Sequence, residues 1–312
     1  MNPPSLGDVE ARLEKINFEA VDELPRELLV FFHPETLREI CALKKYLLRK
    51  RDKGELDQVD QWIWMVGTNR LTGHSAGFFS VYTLPPNQAV SVESQLKINQ
   101  RLGQTPQRRH VPELVLRKSR QLLADLNEQH RHQLSVSAED SLLVTRSADQ
   151  TPEIPSNWVS LVVTSPPFLD VVNYEQDNWL RAWFCGIDMS KLAVWQIKNL
   201  NDWETRMMNA LTEVHRVLQP GGWVAFEVGE VRNGKVKLET SVLKAGREAG
   251  LRPVLVLIND QVFTKTSNCW GVENQKKGTN TNRIILFQKE AESQAVTTDA
   301  IIKKVFNAVP MP

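Results

Sequence analysis

The sequence lacks long hydrophobic runs and has few cysteines, and each absence excludes a class of protein. No apolar run approaches the roughly 20 residues that a helix needs to span a bilayer. The three cysteines lie far apart, without the Cys or His spacing of a zinc site, so we expect reduced thiols and no metal centre. Because the first residues lack the apolar core of a signal peptide, we predict a cytoplasmic protein.

The sequence also lacks a large net charge. The formal charge is +1, from 38 Lys and Arg against 37 Asp and Glu. The total therefore does not indicate nucleic acid as a partner, although a neutral total can include a basic face.

Residue patterns divide the chain into three regions. Helical periodicity predominates in residues 1–131, including one long helix over 112–131. From residue 132 strand and helix patterns alternate, which indicates a parallel sheet with helices. We predict an α/β fold with a mostly helical segment over 1–131, an α/β region over 132–290 and a tail over 291–312. In the α/β region we expect strands near 134–137, 159–164, 223–228, 253–258 and 283–288, helices over 176–185, 202–218 and 239–249, and a polar loop over 264–282.

The most informative motif follows the strand predicted over 159–164, where the chain continues as Thr164-Ser165-Pro166-Pro167-Phe168. Prolines fix φ and remove backbone donors, so this turn presents acceptors at the carboxyl end of a strand. Open α/β sheets bind their ligands at that end. We predict a binding or catalytic site here, and the alternative is a proline-stiffened strand exit with a core phenylalanine.

The Ser-Pro-Pro-Phe motif resembles catalytic motif IV of amino-methylating DNA methyltransferases, in the form typical of the cytosine-N4 branch. The segment HRVLQPGGWVAFEVGE resembles the fifth strand of class I methyltransferases. The resemblance implies a class I methyltransferase-like (Rossmann-like) sheet, with S-adenosyl-L-methionine as cofactor and DNA as partner. It implies that Ser165 and Pro166 accept the amino hydrogens of the target base, that Phe168 stacks on the base, and that Pro167 shapes the turn.

The same resemblance implies two cofactor-binding residues. Thr164 ends the strand before the turn. Asp140 is the acidic residue within LSVSAEDSLLV, a segment similar to the third strand and acidic turn of this fold. A solvated turn aspartate is an equally good interpretation of Asp140.

DNA contacts are expected in two places. If residues 60–120 recognise the target, their Asn and Arg side chains are candidates, and TNTNR at 279–283 resembles a stretch of N4-type methylases. The alternative is an ordinary solvated face. The candidates are Asn69, Arg70, Arg108, Arg109, Asn280, Asn282 and Arg283.

The glycine-rich turn that holds the methyl donor in this family occurs nowhere in the chain. Its glycines are needed because the backbone approaches the donor too closely for a Cβ. We therefore expect a split enzyme whose donor-binding lobe is a separate chain, or a truncated reading frame, and weak donor binding by this chain alone.

Other functions stay open. The chain could be a non-catalytic DNA-binding or assembly subunit derived from a methylase, or it could methylate adenine N6 or RNA. Membership of a restriction-modification system is not decided by the sequence. A remote alternative is a serine hydrolase, because Gly73-His74-Ser75-Ala76-Gly77 fits the G-x-S-x-G nucleophile elbow.

Overall fold

The computed structural model describes the chain except for residues 1–2, 20, 22, 84–88, 168, 170–172, 193, 230–235, 265–276 and 292–312, and except for the side chains of 260–281. The described residues form two compact units. One comprises residues 1–143 and 173–194, and the other comprises 144–172 and 195–312. The predicted regions divided the chain differently, because the segment 173–194 follows the first strand in sequence but groups with the N-terminal residues.

The first unit is helical. Its helices are α1 (Leu6–Glu14), α2 (Pro34–Asp52), α3 (Gln58–Arg70), α4 (Val92–Leu102), α5 (Val111–Leu123), α6 (Glu128–Glu139) and α7 (Tyr174–Cys185), with short 3-10 helices at Arg26–Val30 and Met189–Lys191. Its core is formed by fully buried apolar side chains, among them Phe31, Phe32, Leu43, Ile63 and Val115. Ser5 caps α1 through a capping box with Asp8, as that spacing predicts.

A buried carboxylate connects three of these helices. Asp60 of α3 has no exposed side-chain surface, and it forms ion pairs with Arg12 of α1 and with Lys50 of α2. The Tyr46 hydroxyl donates a third hydrogen bond to it, at 2.9 Å. Arg12 also hydrogen-bonds Asp57 and thereby lowers the pKa of that carboxyl. A buried charge needs this degree of pairing, because an unpaired one is very costly.

The second unit contains the sheet. Its strands are β1 (Val159–Thr164), β2 (Leu218–Val228), β3 (Arg252–Thr264) and β4 (Lys277–Gln288), in the order β1-β2-β4-β3. β1 and β2 are parallel, whereas β4 runs antiparallel to both β2 and β3. Helices α8 (Leu200–Val217) and α9 (Leu238–Glu248) belong to the same unit. The predicted α/β fold class is confirmed, with a partial sheet and many helices.

One face of the sheet is buried with α8 and α9. The side chains of Phe226 and Phe287 share a core cluster with Leu211 of α8 and Val242 of α9. α9 approaches the sheet closely, since a Cβ added at Gly246 would lie 2.3 Å from the Phe287 ring. Glycine is needed at that position because no side chain fits between the helix and the ring.

The opposite face of the sheet carries an apolar row. The register places Val163, Ala225, Leu286 and Leu255 side by side across all four strands. Several of the side chains on this face are exposed, with 73% of Val163, 57% of Leu161 and 49% of Leu255 open to solvent. Sheets that contain parallel strands usually bury both faces. This face departs from that rule, because no layer covers it among the described residues.

Three predicted elements were wrong. The strand expected at 134–137 lies within α6, and the helix expected over 112–131 is two helices, because Asn127 caps α6 by accepting a hydrogen bond from the His130 amide. The loop expected over 264–282 is too long, because β3 extends to Thr264 and β4 begins at Lys277. Short alternating or polar segments do not distinguish these structures without their tertiary partners.

Candidate active site at the end of strand β1

The turn after β1 lies at the carboxyl end of the parallel strand pair. Thr164, the last residue of β1, is opposite Phe226 of β2. Ser165 is exposed, whereas Pro166 and Pro167 are half-buried. Phe168, predicted to stack on a base, lies outside the described residues. The structure therefore places Ser165 at the strand end that the motif predicts.

A buried tryptophan anchors this turn. The Trp203 indole Nε1 donates a hydrogen bond of 3.0 Å to the carbonyl of Pro167, and Trp203 is only 1% exposed. Leu169, two residues further along, is fully buried in the same core cluster. Because β1 fixes one side of the turn and these two contacts fix the other, the Ser-Pro-Pro backbone cannot easily change its course.

Sequence reasoning missed the anchoring role of Trp203. The only feature of the sequence that pointed to such a role was the high number of tryptophans around and after the motif. A buried tryptophan usually finds a hydrogen-bond partner, but the sequence does not show which carbonyl it meets.

The anchored turn leaves two acceptors open. Among the residues that the structure describes, none donates a hydrogen bond to the Ser165 hydroxyl or to the Pro166 carbonyl. The hydroxyl can accept and donate, and the carbonyl offers two lone pairs. A proline at positions 166 and 167 also means that no backbone N–H competes for these acceptors. The turn can therefore receive a ligand that brings N–H groups.

Residues of β4 lie at the same end of the sheet. Because β4 is antiparallel to β2, Arg283 pairs with Val228 at the carboxyl end of β2. The Arg283 Nε lies 3.0 Å from Glu239 of α9, and both side chains are one-fifth exposed. Asn282 precedes Arg283 in the strand, and the side chain of Asn280 lies outside the described ones. The structure thus brings Asn282 and Arg283 to the same end of the sheet as Ser165. TNTNR is part of strand β4 and not of the predicted loop.

The start of β1 is also fixed within its unit. The Trp158 amide donates to the Val217 carbonyl at 2.8 Å, just before β1 begins. Arg216 donates to the carbonyls of Thr151 and Ile154 and pairs with Glu213. That pairing lowers the pKa of Glu213 to about 2. These contacts hold the segment before β1 against the end of α8.

The DNA candidates of the helical unit already have partners. The Arg70 guanidinium lies 4.2 Å from the centre of the Phe78 ring, and burial lowers its pKa. Arg108 pairs with Glu35 and Glu39.

The other two candidates of this unit are held partly through the backbone. The Arg109 amide donates to the Thr36 hydroxyl at 2.7 Å, while its side chain borders a cavity of about 380 Å³ beside His74. The Asn69 side chain donates to the Met65 carbonyl. Their role in DNA binding stays a prediction.

Two other predicted sites do not have the geometry on which they depended. Asp140 caps the end of α6 and is exposed, so it does not follow a strand. Ser75 follows helix α3 and lies in a series of bends. A nucleophile elbow needs a strand before the serine and a helix after it, and the described residues around Ser75 form neither.

Neither a metal-binding cluster nor a membrane span occurs among the described residues. That part of the chain contains no cluster of three or more His, Cys, Asp or Glu side chains able to hold a metal ion. Its helices include none that combines the length and the apolar character of a membrane span.

Comparison with known proteins gives similarities to solved structures only. No protein-family model matches the chain, and no curated protein sequence matches it. A candidate DNA modification methylase from Thermus thermophilus, crystallised with S-adenosyl-L-methionine, is similar at 19% identity, over 50% of this chain and 54% of that one, with a TM-score of 0.26. A SAM-dependent methyltransferase from Methanosarcina mazei is similar at 11% identity, over 54% of this chain and 81% of that one, with a TM-score of 0.27. The chain spans about half of the length of the Thermus protein.

Proposed function

We propose that this chain carries the target-base side of a DNA methyltransferase that transfers methyl from S-adenosyl-L-methionine to an exocyclic amino group, with cytosine N4 favoured. The observation that supports this most is the anchored turn, whose Ser165 hydroxyl and Pro166 carbonyl stay open as acceptors among the described residues. The resemblance of the Ser-Pro-Pro-Phe motif to this enzyme family supports the same assignment.

The chemistry of the turn follows from the weak nucleophilicity of the amine. Its lone pair is conjugated into the base ring, so the nitrogen must be drawn toward a tetrahedral geometry before it can attack a methyl group. Ser165 and Pro166 would accept its two hydrogens and orient the lone pair outward. Phe168 would stack on the base after it leaves the duplex.

The described part of the chain does not provide a cradle for the methyl donor. Among its strand ends, β2 continues with Gly229 as a single glycine, and Asp140 lies at the end of a helix. Close backbone approach to the donor requires more than one residue without a Cβ. The methyl donor would therefore be held by residues outside the described part of this chain, either in a separate polypeptide or in a longer form of the same one.

The sheet supports a second polypeptide as partner. Within the described residues, β1 pairs with β2 alone and leaves its other edge unpaired. The apolar row that begins at Val163 lies beside this edge. An open edge next to a bare apolar face suits a strand that adds parallel to β1, followed by a helix that covers the face.

The test is a methylation assay on duplex DNA with radiolabelled donor, followed by mass spectrometry of the nucleosides. We expect little transfer by this chain alone, and transfer to cytosine N4 when a polypeptide with the glycine-rich donor motif is added. Ser165→Ala should abolish transfer, whereas Ser160→Ala, within β1 and away from the turn, should not. Full activity of Ser165→Ala would contradict the role of the turn, and N6-methyladenine or methylated RNA would identify the alternative substrates.

A non-catalytic subunit is the second candidate, and the absence of a donor cradle from the described residues favours it. It predicts DNA binding without transfer under every combination of chains. Transfer by the wild-type chain with a partner distinguishes the two. Val163→Lys then tests the bare face, because a lysine there should block activation by the partner while leaving the isolated chain folded.

A further inference from the structure

The helical unit contains an open cavity of about 380 Å³. This volume lies within the range of small-molecule sites, about 300 to 1,000 Å³. His74 and Tyr82 provide aromatic surface there, with their ring centres 6.1 Å apart in an edge-to-face arrangement. Among the lining residues that the structure describes, Arg109 is the only permanently charged one, and none is Asp or Glu. The cavity therefore combines one cation with two aromatic rings.

Arg109 is fixed through its backbone, which leaves its guanidinium available. Its amide donates to the Thr36 hydroxyl at 2.7 Å, and this hydroxyl donates to the Arg109 carbonyl at 2.8 Å. Thr36 itself is fully buried. Within the described part of the chain the Arg109 guanidinium has no ion pair and no hydrogen bond, whereas the adjacent Arg108 pairs with Glu35 and Glu39. The fold therefore neutralises one of these two arginines and leaves the other at the cavity.

Two further arginines add positive charge beside the cavity. Arg117 donates to the carbonyl of Ala76 at 3.2 Å, and Ala76 lines the cavity. The Arg70 guanidinium lies 4.2 Å from the centre of the Phe78 ring, which stacks on His74 at 6.4 Å. No carboxylate of the described residues forms an ion pair with Arg70 or with Arg117. An anion in the cavity would therefore be attracted by three cations.

Hydroxyl groups of the cavity can add hydrogen bonds to an anion. The Ser75 hydroxyl accepts from the Gly77 amide at 3.3 Å and donates to no other described residue, so its hydrogen is available. The hydroxyl of Thr105, which also lines the cavity, likewise donates to no residue that the structure describes. A guanidinium fork with additional donors suits the oxygens of a phosphate. An aromatic surface beside it suits a nucleotide base, because every base has a face that can stack.

We propose that this cavity binds a nucleotide, with its phosphate at Arg109 and its base against the rings of His74 and Tyr82. The ligand is either a free mononucleotide or an unpaired nucleotide of a DNA strand, since both present the same phosphate and base. A base stacked within a duplex does not qualify, because it must leave the stack before it can enter a pocket. The proposal goes beyond the proposed function, because it involves neither methyl transfer nor the turn at Ser165.

The experiment measures binding to the full chain by isothermal titration calorimetry, without methyl donor and at about 50 mM KCl to limit screening. The ligands are deoxycytidine monophosphate, deoxycytidine, inorganic phosphate, succinate and an oligodeoxycytidine single strand. The test variants are Arg109→Gln, which keeps both backbone hydrogen bonds to Thr36, and Tyr82→Leu, which removes the ring and keeps an apolar side chain. The control is Arg120→Gln, at an exposed arginine of α5 that does not line the cavity. Thermal unfolding verifies that all three variants fold.

We expect Arg109→Gln to weaken binding of the monophosphate by about tenfold or more, because a charge-assisted hydrogen bond to phosphate is lost. Deoxycytidine, which lacks the phosphate, should bind more weakly and should not distinguish this variant from the wild type. Tyr82→Leu should weaken both of these ligands by about fivefold or more and leave inorganic phosphate unchanged. Arg120→Gln should change each affinity by less than about twofold.

The single strand identifies the source of the nucleotide. If it binds with the same dependence on Arg109 and Tyr82, the ligand is a nucleotide of DNA, and if the monophosphate alone shows this dependence, the ligand is a free nucleotide. The proposal is overturned if neither ligand binds, if Arg109→Gln binds as tightly as the wild type, or if Arg120→Gln loses as much affinity. Tighter binding of succinate than of phosphate would indicate a carboxylate ligand and would also overturn it. None of these outcomes bears on methyl transfer, which is tested at Ser165.

Discussion

The contact between Trp203 and Pro167 leads to the most direct prediction about the site. Trp203→Phe keeps an aromatic ring in the core and removes the indole N–H that holds the turn. The lost hydrogen bond and the carbonyl left without its donor cost about 1 to 2 kcal/mol together. The smaller ring leaves a cavity around a side chain that is 1% exposed, which adds about 1 to 2 kcal/mol. We expect a total loss of about 2 to 4 kcal/mol in the free energy of unfolding.

Urea unfolding followed by far-UV circular dichroism measures this loss. The matched control is Trp158→Phe, because Trp158 is 58% exposed and directly precedes β1, the strand that ends at this turn. Its free energy of unfolding should change by less than about 0.5 kcal/mol. If the chain transfers methyl when a donor-binding polypeptide is added, Trp203→Phe should lower kcat more than it raises KM for DNA. The variant would still bind DNA, but its turn would hold the amino group of the base in the wrong position. A loss below about 0.5 kcal/mol with an unchanged kcat would refute the anchoring role.

Three further predictions concern stability. Asp60→Asn removes the buried carboxylate that pairs with the partly exposed Arg12 and Lys50 and should cost about 1.5 to 3 kcal/mol in urea unfolding, whereas Glu93→Gln, in an exposed pair, should cost less than about 0.5 kcal/mol. Gly246→Ala forces a Cβ against the buried Phe287 ring and should cost about 1 to 3 kcal/mol, and an unchanged urea midpoint would contradict the close packing of α9. The pKa of Glu213 is lowered from 4.5 to about 2 by Arg216, so its contribution is complete above about pH 4.5 and is lost as the pH falls toward 2. Unfolding of Glu213→Gln between about pH 6 and 2.5 should lack that part of the pH dependence, and parallel curves would contradict it.

The sequence predicted the sheet unit better than the helical unit. Short apolar runs such as 159–164 and 283–288 identified strands, and Gly250 at φ +82° ends the region of α9 as expected. The prediction of a strand at 134–137 was wrong because the alternation of apolar and polar side chains over four residues fits a strand and a helix equally well.

The site was predictable only where residue type alone limits the chemistry. Prolines remove donors wherever they lie, so the acceptor character of the turn after β1 followed from the motif. The contact between Trp203 and Pro167, 36 residues apart, depends on how α8 packs and has no local signal. The ion pair of Arg283 with Glu239 likewise depends on the pairing of β2 with β4.

The location of the anchors determines how much of the proposed site can exist without a partner. The strand β2, Trp203 and Leu169 all belong to the same unit as the turn, and so do the contacts that fix the start of β1. Ser165 and Pro166 are therefore positioned by this chain's own core and need no second polypeptide for their geometry. The open edge of β1 and the row from Val163 lie on surfaces that these anchors do not use. A donor-binding polypeptide could thus add to the sheet without rebuilding the turn, and this independence is what makes a split methyltransferase physically feasible.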